Sequence, residues 1–156
     1  MNFNPIIILW GEPNSIFTEI FSKSIRQYKS KKPIILIGSL ELFKDQIKKL
    51  KIKFNFKLIN LIQPDLRNIM KNKINFINVK YSYNKPFEKI SSKSNKYLKN
   101  CFDIAIKINK NHNISGLING PISKKYFLKD QYLGVTEFLA SQFNIKNNFA
   151  MLIYNK

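Results

Sequence analysis

Apolar positions in this chain change their spacing several times, and each change marks an element. Residues 6–10 (IIILW) form an unbroken apolar run closed by Gly-Glu-Pro, the pattern of a strand buried on both faces. Behind it Ile16, Phe17, Ile20, Phe21, Ile25 and Tyr28 recur at three- and four-residue intervals with lysines between them. That spacing predicts an amphipathic helix, with Asn14 or Ser15 placed to cap it. The unit then repeats: residues 33–37 read as a strand, Gly38-Ser39 as a turn, and residues 40–49 as a helix with Leu42, Phe43, Ile47 and Leu50 turned inward.

Residues 54–62 and 74–79 read as further strands. Between 79 and 91 there is no clear period and Pro86 intervenes, so the segment reads as a loop. Ser91, Ser92 or Ser94 can cap the helix that follows, in which Tyr97, Leu98, Cys101, Phe102, Ala105 and Ile108 mark one face with no glycine or proline between them. Residues 116–118 predict another buried strand, Asn119-Gly120-Pro121 its exit, and residues 149–154 a last strand. Alternating strand and helix units of this kind predict an α/β fold, a mostly parallel sheet covered by helices on both faces, in one domain spanning residues 1–156. In such folds ligands collect at the carboxyl ends of the strands.

Composition narrows the function classes. The 156 residues are 44% hydrophobic, enough for a real core, so the chain is no disordered tail. The longest apolar run, residues 149–154, is six residues, whereas a spanning helix needs about 20; the expectation is a soluble, cytoplasmic protein with no membrane contact. One cysteine, Cys101, and one histidine, His112, provide neither an internal disulfide nor a zinc site. Cys101 reads as core packing, and His112 as a solvated residue near a helix C-terminus, where a cation is favourable.

Charge changes the picture less than its size suggests. The net +18 would attract nucleic acid, anionic lipid or a phosphorylated substrate. Yet 25 of the 27 basic residues are lysine, only Arg26 and Arg67 are arginine, and 25 Ile and 20 Asn accompany them. The surplus is therefore a compositional bias spread over nearly every element. It lacks the arginines that read bases and grip phosphates bidentately, so no specific nucleic-acid partner is expected.

Chemistry concentrates in two loops that leave strand ends. The turn over residues 10–20 feeds a helix N-terminus, whose free N–H groups suit a phosphate or carboxylate, although it matches neither G-x-G-x-x-G nor a P-loop. In the second, after Asn119-Gly120-Pro121, Ser123 can cap a short helix with Lys124 in its first turn, where a cation is unfavourable unless an anion compensates it. Gly134, Thr136 and Glu137 then open another helix, with Thr136 as its cap and Glu137 as a first-turn carboxylate.

Over essentially its whole length the chain resembles the 4-hydroxythreonine-4-phosphate dehydrogenase family of vitamin B6 biosynthesis. The family's G-D-P-A-G-I-G-P-E-I motif stands here as Gly11-Glu12-Pro13-Asn14-Ser15-Ile16-Phe17-Thr18-Glu19-Ile20. Its T-x-P-x-x-K segment stands as Asn119-Gly120-Pro121-Ile122-Ser123-Lys124, and its G-H-T-E segment as Gly134-Val135-Thr136-Glu137. The resemblance implies a three-layer α/β/α fold like that of isocitrate and isopropylmalate dehydrogenases, and a homodimer. It implies an NAD-dependent oxidoreductase acting on the CH–OH group of 4-phosphooxy-threonine, with decarboxylation of the product. A divalent metal held by three histidines would polarise the reacting oxygen.

The resemblance places the phosphorylated substrate against Thr136, with Lys124, Gly134, Val135 and Glu137 around it. Val135 stands where the family has its substrate-binding histidine, and Ser15 and Phe17 stand where it has glycines. No histidine follows His112, so the metal set has no counterpart here, and the family is about twice this long. The expectation is an N-terminal-half, divergent form, inactive alone, that binds NAD and metal weakly if at all. A non-catalytic domain binding a small anion or a protein partner is the alternative, and a basic nucleic-acid module a second.

Overall fold

The computed structural model describes residues 4–59, 69–70, 74–129, 131–146 and 148–152. Five strands, β1 (Ile6–Leu9), β2 (Ile34–Gly38), β3 (Phe56–Leu58), β4 (Ile74–Asn78) and β5 (Gly116–Asn119), form one sheet in the order β3-β4-β2-β1-β5. Every pairing is parallel, with Ile7 opposite both Ile35 and Leu117. The helices are α1 (Phe17–Arg26), α2 (Leu40–Lys49), α3 (Asn95–Asn111) and α4 (Val135–Gln142).

The continuous apolar runs of β1, β2 and β4 still alternate in where they point. Ile8, Trp10, Ile34, Leu36, Ile74 and Phe76 share a core with Phe17 and Phe21 of α1 and Phe43 of α2. Ile7, Leu9, Ile35, Ile37 and Ile77 share the opposite core with the apolar face of α3. The result is the expected three-layer α/β/α arrangement. Each large side chain fully removed from water contributes about 1.5–3 kcal/mol, and on the α3 side the predicted face of Tyr97, Leu98, Cys101, Phe102, Ala105 and Ile108 is buried throughout. On the other side aromatic rings interlock, Phe43 meeting Trp10 edge-on at 5.0 Å and Phe76 at 5.5 Å between centroids.

Several local expectations are corrected. The α1 helix begins at Phe17 after Ile16, with no side-chain cap. Ser15 does accept the Phe17 N–H at 3.2 Å, but Asn14 turns away, accepting the Glu88 N–H at 3.3 Å and reaching the Tyr81 hydroxyl at 3.5 Å. Ser94, one of the three expected candidates, holds the N-cap position of α3 but makes no side-chain cap bond, because a 3-10 turn at Ser92–Ser94 leads into the helix and the Ser94 hydroxyl donates to Ser91 O at 2.9 Å. The strand expected over 54–62 is β3 alone, and residues 60–62 lie outside the described ones. Residues 149–152 of the expected last strand have no strand structure and are exposed, while 153 and 154 lie outside the described residues. The expected buried strand at 116–118 is the sheet's edge, with Ile118 51% exposed.

Ser39, read from the sequence only as part of a turn, caps α2, accepting the Leu42 N–H at 3.4 Å. Gln46, fully buried, accepts from the Thr18 hydroxyl and donates to Pro13 O at 2.8 Å, fastening α2 to the turn after β1. Cys101 is buried, and burial pushes its thiol up to about 12. His112 closes α3, its N–H bonded to Ile108 O. No helix among the described residues is long and apolar enough to cross a membrane.

Candidate binding site at the strand exits

Because β1 and β5 are parallel neighbours, their exit loops leave the sheet side by side, and they are clamped together. The Glu12 N–H bonds Pro121 O at 2.7 Å and the Gly120 N–H bonds Leu9 O at 2.8 Å. Two glycines permit the approach. A Cβ on Gly120 would lie 2.0 Å from Trp10 O, and one on Gly11, whose φ is +77°, would lie 2.5 Å from Pro121 O. Both contacts are with backbone, which cannot swing aside as a side chain can.

The chain then bends through Pro121 to Ser123, which accepts the Tyr126 N–H at 3.4 Å and starts a single π-helical turn, Lys124–Leu128. That turn ends at Lys129 in the left-handed conformation, φ +48°. Lys124 occupies its first position, as expected, and is exposed with no carboxylate partner among the described residues. A five-residue turn offers little dipole, so any affinity of Lys124 for an anion is that of its own ammonium.

The α4 helix approaches the same strand end. Gly134, not Thr136, holds its N-cap position, and Val135, Thr136 and Glu137 form its first turn. Gly134 is extended, at φ −162°, a conformation open to any residue. Glu137 lies close beneath it, so that a Cβ on Gly134 would meet Glu137 Oε2 at 3.0 Å. Val135 and Thr136 line a shallow apolar depression of about 290 Å³ with Asn119 at the end of β5 and with Leu139, Phe143 and Phe149. Thr136, Val135 and the β5 exit are thus brought together, while Lys124 lies outside that depression. Val135 also packs against the α3-side core beside Phe138 and Leu139; its methyl groups extend that core and offer a polar ligand nothing.

The first loop turns its Phe17 side chain inward. Phe17 is buried against Trp10, with centroids 6.2 Å apart, and stacks on Phe21 at 5.8 Å. A Cβ on Gly120 would come within 2.9 Å of the Phe17 ring, so this ring fills the space beneath the second loop.

Hydrophobic periodicity does not single out Glu12. Its carboxyl group is buried at 1% exposure, and neither oxygen has a hydrogen-bond partner. Burial raises its pKa; the neighbouring Ser94 hydroxyl acts in the opposite sense but is already engaged with Ser91. Asn95, next along, donates to Tyr126 O at 2.8 Å and leaves its own Oδ1 buried without a partner. The sequence signals for Glu12 were its place in the motif over residues 11–20 and its position one glycine after a five-residue apolar run.

The described residues contain no group of three or more His, Cys, Asp or Glu able to hold a metal. The single histidine closes α3 at Ile108 O, beyond the end of its apolar face. The residues of this chain do not fit a three-histidine metal set.

The sequence profile described as pyridoxal phosphate biosynthetic protein PdxA matches residues 29–156. Comparison with the curated proteins gave no match. Among solved structures, the chain is similar to a 4-hydroxythreonine-4-phosphate dehydrogenase from Burkholderia phymatum (TM-score 0.76, 17% identity, covering 94% of this chain and 46% of that one). It is also similar to the enzyme of the same name from Klebsiella pneumoniae (TM-score 0.69, 21% identity, covering 88% of this chain and 44% of that one). At these identities the likeness concerns the fold, and the chain spans less than half the length of either relative.

Proposed function

Since the chain belongs to the family of pyridoxal phosphate biosynthetic protein PdxA, we propose that it retains the substrate-side end of a PdxA-type fold and binds a small phosphorylated molecule of the 4-phosphooxy-threonine type there, without oxidising it by itself. The observation that carries this reading is the convergence of the β1 exit, the β5 exit and the first turn of α4, with Asn119 and Thr136 lining one depression. Thr136 would donate to the ligand, and Lys124, a few residues beyond Asn119, would supply a mobile cation. Val135 removes the donor that a histidine would supply, and Phe17 occupies the room beneath Gly120.

Neither a three-histidine metal set nor a glycine-rich dinucleotide loop can be assembled from these residues, so no step of the oxidation is derived for this chain. One charge-assisted hydrogen bond is worth about 1.5–3 kcal/mol, which association costs largely cancel. Binding should therefore be weak, with Kd on the order of 1 mM or above. Calorimetric or NMR titration with 4-phosphooxy-threonine tests this. Weak saturable binding, lowered in Thr136→Val and in Lys124→Ala and accompanied by no NAD reduction, is expected. NAD-dependent turnover by the 156-residue chain, or binding indifferent to both substitutions, would refute it.

A further inference from the structure

Between the joined exit loops one carboxyl group, that of Glu12, is buried with no cation beside it among the described residues. Glu12 sits between the β1 exit, the β5 exit and the start of α3, at 1% exposure with both carboxyl oxygens unpartnered. The groups facing it are the Ser94 hydroxyl at the start of α3 and the Tyr81 phenol on the loop after β4. The Tyr81 phenol is itself raised by burial and by the charge of Glu12, and Tyr97 of α3 lies against it, with ring centroids 5.0 Å apart. Glu88, from the same loop, is a further negative charge near Tyr81, its carboxylate held ionised by the Lys85 and Asn84 N–H groups. The β5 exit contributes Pro121, which has no charge, and Lys124 beyond it is exposed. In a chain of net +18, no lysine or arginine among the described residues contributes to setting this carboxyl's protonation. An unpaired charge in such a place is disfavoured by the loss of its hydration.

We propose that Glu12 is a proton-operated latch on the strand exits: neutral, it stays inside and the β1 and β5 loops remain joined; ionised, it moves to water and the loops part. The burial that disfavours the carboxylate is relieved only by opening, so the proton and the closed state stabilise each other. The direction of the linkage follows. The buried carboxyl is raised from its ordinary value of 4.5, so the closed state has its full stability below that value. It loses stability as pH climbs from there to the buried group's own pKa, and remains at the lower level above it. Each unit between the two values corresponds to a tenfold change in the opening constant. Opening would release the Glu12 and Gly120 N–H groups from Pro121 O and Leu9 O.

Amide hydrogen exchange by NMR on the full chain, from pH 4 to 8 and corrected for the intrinsic rate, tests the latch. Protection of the Glu12 and Gly120 amides should fall by about threefold or more as pH rises from 4.5 and then level off. In Glu12→Gln, which cannot ionise, that fall should vanish. In the wild type the Glu12 carboxyl-carbon resonance should titrate above the ordinary glutamate range and in step with the loss of protection. This second readout stands even if the glutamine variant fails to fold. A Glu12 resonance titrating at the ordinary value, or an undiminished pH dependence in Glu12→Gln, would overturn the proposal.

Discussion

The core beneath α1 and α2 and the region around the β5 edge behave differently although the same kinds of residue build them. Beneath α1 and α2, Trp10, Phe43 and Phe76 are essentially inaccessible and each ring meets at least two others. At the β5 edge and on either side of α4, Ile118 is 51% exposed, Leu133 84% and Leu152 92%. Apolar content alone therefore does not say where stability resides; having a neighbour on the far side does. The candidate site stands on the looser of the two regions, which local adaptability at a ligand site would favour.

Core truncation should separate the regions most sharply. Phe43→Ala removes a fully buried ring in contact with Trp10, Phe54, Phe56 and Phe76. It should cost about 3–5 kcal/mol in urea unfolding, whereas Leu139→Ala, half-buried beside the depression, should cost about 1 kcal/mol. Equal losses would erase the distinction.

Glycine substitutions come next in size. Gly120→Ala forces a methyl to within 2.0 Å of Trp10 O and should cost about 1–3 kcal/mol or more. Gly116→Ala, in the adjoining edge strand, meets nothing within 4 Å and should change stability by less than about 1 kcal/mol. A harmless Gly120→Ala would mean that the two exits are not clamped.

These contrasts also explain what the sequence made legible. The strands of the core and the α3 face could be read because each carries a strong period with clear breaks, and the motifs at Gly11 and Gly120 because tight turns need glycine. The order β3-β4-β2-β1-β5 lay beyond local pattern, so β5 read as buried when it is the edge. The segment 149–152 has strand-like residues but takes no strand structure. Helix caps were misplaced for a similar reason, because Asn14 found partners in Glu88 and Tyr81, far along the chain. At the site, Lys124 and Thr136 were legible as motif members, but their separation, with only Thr136 lining the depression, required the fold. Glu12 shows no periodicity, and its isolation is a property of three elements together.

Smaller effects should appear at the surface. An exposed parallel edge carrying Ile118 invites strand pairing, while +18 opposes it by repulsion. Ile118→Lys should lower any self-association seen by sedimentation at physiological salt. No change where the wild type associates would place the contact elsewhere. DNA binding should be weak, indifferent to sequence and largely lost by moderate salt, because it would rest on phosphate neutralisation by scattered lysines. Sequence-selective binding in fluorescence anisotropy that persists at physiological salt would contradict this.

The most direct test of the central claim is an amide NMR titration with 4-phosphooxy-threonine at constant ionic strength. The account predicts saturable shifts concentrated at Asn119, Gly120, Val135 and Thr136, with Kd on the order of 1 mM or weaker, and attenuation in Thr136→Val. Shifts scattered over exposed lysines in proportion to charge, with the strand exits silent, would contradict it.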